Sequence, residues 1–305
     1  MNPTLRTIGF FALLTAIFMG IGALFFYFYP YNFALGMGLF FIFIMIVNIS
    51  VYFTGDKIVL WRYGVHEVSE NEYPELHSIV AEIAEKAGVP KPKVGIMQSR
   101  TPNAFATGRK PEKSIVVVTT GIMGLLNRDE LRGVIAHEMA HIKDRDILLV
   151  TIAATLASAT AFLARWFLWT NMFRRRQNGV ELLMMAFALV GAVIGTILIR
   201  LAISRQREFK ADEVGARTIG DPRPLESALL KLESANTRWP LKRGNPASSS
   251  LFIVNPFKGG MKGLLSTHPS TVARIERLKE LEPKLLGYDL SSAKSAVESS
   301  PYKIK

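Results

Sequence analysis

Cysteine is absent from the 305 residues, which excludes disulfides and thiolate metal sites and leaves histidines and carboxylates as the strong metal ligands available. The absence agrees with a soluble part kept in a reducing compartment. Histidine is itself sparse, with five in the chain. Acidic residues are also short, 25 against 37 lysines and arginines, so the formal net charge is +12. Basic flanks of membrane spans, drawn to anionic headgroups, account for that excess. No basic motif interleaved with aromatics is present, so nucleic acid is not called for as a partner. No internal repeat is apparent.

Apolar residues are plentiful. They make up 49% of a chain that is 20% charged, with a mean hydropathy of +0.23, which implies that they are segregated into blocks. Residues 8–29 and 33–53 are uncharged apolar runs of the roughly 20-residue length that a helix needs to cross the hydrocarbon. Arg6 gives the first run the look of a secretory signal, but the run is too long, lacks a cleavage pattern and is followed at once by the second. A third run, residues 147–164, ends at Arg165 beside the interfacial residues Trp166 and Trp169. A fourth, residues 182–199, is followed by Arg200, which can snorkel to the headgroups. Lysines and arginines set the orientation: Arg6 precedes the first pair, the 29–32 connection is uncharged, and Lys57 and Arg62 follow, so both ends face the cytosol. A fully crossing second hairpin would place Arg174, Arg175 and Arg176 outside, against that rule, which leaves its depth open.

Between and after the spans the chain reads as mainly helical with a small sheet, an α+β pattern. Leu76, Ile79, Val80 and Ile83 give helical spacing over residues 73–87, with His77 off the apolar face. His66 and His77 are read as non-ligands. Residues 93–97, 103–107 and 114–119 read as strands. Asn127 and Glu130 form a capping box ahead of a helix through Leu131, Val134 and Ile135. Helices are also expected over "SRQREFKADEVGART", residues 224–235 and residues 270–281. The stretch 236–262, rich in Pro, Gly, Ser and Asn, reads as a long mobile loop, and the tail beyond Gly287 as poorly ordered.

The chemistry concentrates at His137-Glu138-Met139-Ala140-His141 on the capped helix. Residues i and i+4 share a face one turn apart, so both imidazoles reach one ion and Glu138 reaches a water beside it. A catalytic zinc takes three protein ligands and keeps a position open, so a third ligand must come from elsewhere. Without cysteine, Glu208 in "REFKAD" is the best candidate; Asp212, one turn later, can accept a hydrogen bond from a ligand imidazole and set its tautomer. His141 lies six residues, about 9 Å of helix, before the third apolar run, and Glu208 lies just past the fourth. A membrane hairpin then separates the ligands in sequence and reunites them in space, close to the bilayer surface.

The segments "TPNAFATG", "VVVTTGIMGLL", "DELRGVIAHEMAHIKDRD", "SRQREFKADEVGA" and "STHPSTVARIERL", with the placing of the four apolar runs, resemble the HtpX heat-shock family of membrane-embedded zinc metalloproteases. The resemblance implies a zincin-like domain on the cytosolic face of the cell membrane, carried with its small sheet on four transmembrane helices in two hairpins. It implies one Zn2+ held by His137, His141 and Glu208, with Glu138 as general base in peptide-bond hydrolysis, and polypeptide substrates, notably damaged or misassembled membrane proteins. Asn103, Ala104, Phe105 and Ala106 would form the edge strand on which a substrate backbone pairs. His268 resembles a histidine that steadies the oxyanion or gates the zinc; the alternative is a helix-entry residue held by Pro269, where relatives often carry a second proline. Asp146 matches an acidic family position that orients a helix end. The implied domains are a membrane hairpin (1–53), a first catalytic part (54–146), a second hairpin (147–203), a second catalytic part (204–287) and a flexible tail (288–305). Two rival readings stay open: a processing protease for lipid-modified carboxyl termini, and a non-catalytic scaffold with a closed structural zinc site. Oligomeric state is not legible.

Overall fold

The first two apolar runs become long helices, α1 (Pro3–Phe28) and α2 (Phe33–Tyr63), in a computed structural model that describes residues 3–28, 33–156, 205–242, 246–257 and 269–287. Neither helix has a polar face, so neither can sit on a core with one side in water. Leu35, Leu39, Phe41, Phe43, Ile46 and Phe53 of α2 stay exposed, and its most apolar window is only 11% buried. Among the described residues α2 is the one helix long and apolar enough, by length and composition, to cross a membrane. Asn48 Nδ2 donates to Thr15 Oγ1 at 3.0 Å, joining the two helices by a polar side-chain contact. The helix α2 runs on past the apolar run, through Asp56, Lys57 and Arg62, to the soluble part.

That soluble part is built on a four-stranded sheet in the order β1-β2-β4-β3, comprising β1 (Val65–Glu67), β2 (Lys93–Met97), β3 (Ala104–Gly108) and β4 (Ser114–Thr119). The β2–β4 pair is parallel and the other two pairs are antiparallel, with Ala104 opposite Val118 and Ala106 opposite Val116. Strands β2 to β4 coincide closely with the expected runs; β1, three residues long, carries too little pattern to be read. Helix α3 (Pro74–Ala87) puts Leu76, Ile79, Val80 and Ile83 into the core that also takes Val94 and Ile96 of β2, and stops at Gly88, whose φ of +69° closes the helix end. His77 corrects an expectation: it is buried, and its Nε2 lies 3.0 Å from the Val68 carbonyl, a partner that lets an imidazole point inward.

A short α4 (Thr120–Leu125) leads to α5 (Arg128–Lys143), which opens on the expected capping box of Asn127 and Glu130. Then come α6, whose described part is Asp146–Leu156, α7 (Arg205–Ile219), α8 (Arg223–Arg238), a 3-10 turn (Pro246–Leu251), α9 (Thr271–Lys279) and α10 (Glu282–Leu286). Leu148, Leu149, Ile152 and Leu156 of α6 pack on Phe10 and Leu14 of α1. The fourth apolar run, Arg174 to Arg176 and the tail after Gly287 lie outside the described residues. Two glycines let helices approach α5 closely. A β-carbon at Gly215 would come within 3.0 Å of the His137 nitrogen, and one at Gly133 within 2.9 Å of the Leu225 nitrogen. The long-loop reading of 236–262 also needs correction: residues 236–238 are helical and 246–257 pack against the fold. Leu251, Phe252 and Ile253, the first three residues of the apolar run 251–254, are buried. The Phe252 ring meets Tyr63 and Phe105 edge-on, at centroid distances of 5.2 and 5.3 Å.

Candidate active site

Helix α5 supplies His137, Glu138 and His141, and the close approach allowed by Gly215 brings α7 across them with Glu208 and Asp212. One ligand atom from each of His137, His141 and Glu208 lies within 4.8 Å of the others. Glu208 faces both rings, its two oxygens 3.9 Å from His137 Nε2 and 3.5 Å from His141 Nε2. His137 and Glu208 are buried, and His141 is nearly so. Burial pushes the His141 pKa down to about 4 against the opposing pull of Glu208, so its imidazole is neutral and able to donate a lone pair at neutral pH. Two imidazole nitrogens and a carboxyl converging in a buried site fit a divalent cation of zinc's preferences, and three donors leave a coordination position free.

Glu138 sits beside this set. Burial pushes its carboxyl up to about 7; His137 opposes the shift, the Glu208 charge adds to it, and a hydrogen bond from the Ala106 backbone opposes it. A proton-accepting group with a pKa near neutrality is what a general base needs. The cavity between these groups measures ≈ 20 Å³ and is lined by Ala106, His137, Glu138, His141, Glu208 and Phe252, among others, which is room for about one water.

Asp212 Oδ1 lies 2.8 Å from His137 Nδ1. Its other partner is a residue the sequence reading missed. Arg274 on α9 donates from Nη2 to Asp212 Oδ1 at 2.6 Å, from Nε to Oδ2 at 2.8 Å and from Nη1 to the Ile253 carbonyl at 2.7 Å. Burial alone would raise the Asp212 pKa, but the Arg274 charge and its hydrogen bonds outweigh it and hold the carboxyl below its ordinary range. A signal was available: Thr271, Arg274, Ile275 and Leu278 fall at i, i+3, i+4 and i+7, which puts an arginine on the buried stripe of its helix.

The remaining candidates are spread more widely. Strand β3 is one of the two edge strands of the sheet. Part of its free edge is covered, because the Ala104 carbonyl accepts from the Ile253 N–H at 3.1 Å and the Asn103 amide donates to the Val254 carbonyl at 2.6 Å. Phe105 points away from the metal donors into the Tyr63 and Phe252 ring cluster. Asp146, buried at the start of α6, faces Arg207 Nη1 at 3.4 Å and so ties that helix end to α7. His268 lies outside the described residues; two positions on, the Ser270 hydroxyl caps α9 by accepting from the Ala273 N–H.

A helix-borne pair of histidines, a facing carboxylate from a second helix and an acid on the histidines' own helix, bonded to the Ala106 backbone of β3, define a metal-dependent peptidase. The comparisons give the family. The model of peptidase family M48 matches residues 70–282. Proteins named protease HtpX homolog match over most of the chain. The one from Thermococcus kodakarensis is 47% identical over 286 residues, 92% of this chain and 97% of its own length. Those from Pyrococcus furiosus and Methanocaldococcus jannaschii are 51% and 50% identical, each over 77% of this chain and over 83% and 84% of their own lengths. The crystal structure of S. mikatae Ste24p aligns with 90% of this chain and 65% of its own at a TM-score of 0.49 and 17% identity. The chain belongs to peptidase family M48, among its HtpX proteases, and is a metalloprotease.

Proposed function

We propose that the protein is a membrane-anchored zinc endopeptidase that binds one Zn2+ through His137, His141 and Glu208 and cleaves damaged or misassembled membrane proteins at the cytosolic face. The convergence of three donors from α5 and α7 within 4.8 Å carries this reading. Zinc, when bound, supplies a Lewis acid for the scissile carbonyl and lowers the pKa of water toward about 7. Glu138 takes the proton from the attacking water and returns it to the leaving amine. Asp212 keeps the His137 proton on Nδ1, which leaves the Nε2 lone pair facing Glu208. Arg274 keeps Asp212 ionised for that task. Asp146 holds the end of α6, through Arg207, next to the residue that precedes Glu208.

An extended substrate pairs with Asn103, Ala104, Phe105 and Ala106 once Ile253 and Val254 give way; the edge position of β3 and the contact between Ala106 and Glu138 support this. His268 acts on the oxyanion or on the zinc. Helices α1 and α2 form the anchor, 147–203 the second hairpin, and 54–146 with 204–287 the two parts of one catalytic domain. The test is casein hydrolysis by detergent-purified full-length protein against its Glu138→Gln variant, with zinc measured in both. Equal zinc and loss of cleavage in the variant is the expected result; parental turnover by Glu138→Gln would refute the assignment.

A further inference from the structure

A second, larger cleft opens at the end of the sheet where β3 begins. Its volume is ≈ 590 Å³, and its walls come from Met97 to Thr101, which lead out of β2 toward β3, from Arg238 to Lys242 after α8, and from Tyr63 at the end of α2. Clefts of this size hold ligands. Its charge is one-sided: Arg100, Arg238 and Lys242 line it and are exposed, and no carboxylate lines it. Elsewhere on the soluble part, cations commonly have acidic partners, as in Lys86 with Glu82, Arg128 with Glu75 and Arg217 with Glu213. None of the three cleft cations is in an ion pair among the described residues. Beside them Trp239 is 52% exposed, an aromatic surface of the kind that anchors bound chains.

Two anionic partners suit such a cleft, and distance separates them. Tyr63 stands ten residues beyond Phe53, the last residue of the apolar run, which is about 15 Å along the helix. The headgroup layer extends only about 5–8 Å beyond the hydrocarbon, so an upright α2 carries the cleft above the lipid phosphates. The polypeptide route leads to it directly. Thr101 is five residues from Ala106, and at about 3.3 Å per residue a chain extended along β3 from Glu138 arrives at the cleft after about five residues.

We propose that this cleft is a substrate subsite that takes acidic residues of the polypeptide, about four to seven positions to one side of the scissile bond. The proposal rests on the peptidase reading for its place in catalysis, while its binding step stands without turnover. Fluorescence anisotropy of fluorescein-labelled octaglutamate and octaglutamine on full-length Glu138→Gln protein in detergent tests it. Octaglutamate is expected to bind at least tenfold tighter than octaglutamine. The triple reversal Arg100→Glu, Arg238→Glu, Lys242→Glu should cost at least tenfold, and the same reversal at Lys93, Lys113 and Arg217 less than threefold. Equal loss from both triples, or equal binding of the two peptides, overturns the subsite. So does a cleft triple that keeps octaglutamate and loses phosphatidylglycerol nanodiscs instead, since the cleft would then serve lipid. Casein cleavage sites of the wild-type protein, mapped by mass spectrometry, should be enriched in Asp and Glu at those positions whether or not the triple folds; an unbiased map also overturns the subsite. Wild-type protein that bound octaglutamate but never cut casein would sink the peptidase reading and leave the cleft standing.

Discussion

Asp212 and Glu226 are both buried carboxylates on neighbouring helices of the same domain, and their surroundings drive them in opposite directions. Arg274 offers Asp212 two hydrogen bonds and a full positive charge, so the carboxyl stays ionised despite burial. Burial, and then Glu282, push the Glu226 pKa up to about 7, and one Glu226 oxygen has no hydrogen-bond partner. Depth alone therefore does not fix the state of a buried acid here; the partner does. Glu138 sides with Glu226, buried and pushed up to about 7, but it stands next to the one group of histidines and a carboxyl, among the described residues, that can hold a cation.

The comparison can be broken most forcefully at Glu138. Glu138→Gln removes the proton acceptor and keeps the shape, and casein turnover should fall about 10²- to 10⁴-fold with zinc content unchanged. Next comes Arg274→Met, which strands a buried charge on Asp212; thermal or urea unfolding should show a loss of about 3–5 kcal/mol. Asp212→Asn alters the partner that His137 shares with Arg274, and a chelator competition assay should read zinc affinity about 10- to 100-fold weaker. The smallest effect is expected at Glu226. A carboxyl raised in the folded state contributes stability below its unfolded pKa and loses that contribution as pH rises through about 7. Glu226→Gln should therefore match the parent at pH ~4 and exceed it by about 1 kcal/mol at pH ~8, a figure reduced for solvent screening. Melting curves at the two pH values check it.

The legible and the hidden parts of this molecule differ by range of interaction. The Asn127 and Glu130 cap and the i, i+4 histidines are written within single turns of helix, where spacing exposes them; the Glu208 and Asp212 pair has the same local spacing but stands out only beside the two histidines, in a chain without cysteine. Arg274 reaches Asp212 from 62 residues away and Ile253 joins Ala104 from across the fold; neither can be read from neighbours in sequence. His77 was misread for the same reason, since the carbonyl that lets it face inward belongs to Val68, outside its helix. The polar composition of 236–262 hid Leu251 to Ile253, whose burial depends on Tyr63 and Phe105. For α2 the composition sufficed, because an apolar surface all round needs no partner within the chain.

Zinc stoichiometry in full-length protein carrying Glu208→Ala tests the central claim most directly, with wild type alongside and folding checked by circular dichroism. Three donors around one ion predict one zinc per chain in the wild type and little or none in a folded Glu208→Ala variant. A folded variant that kept its full complement of zinc would contradict the account.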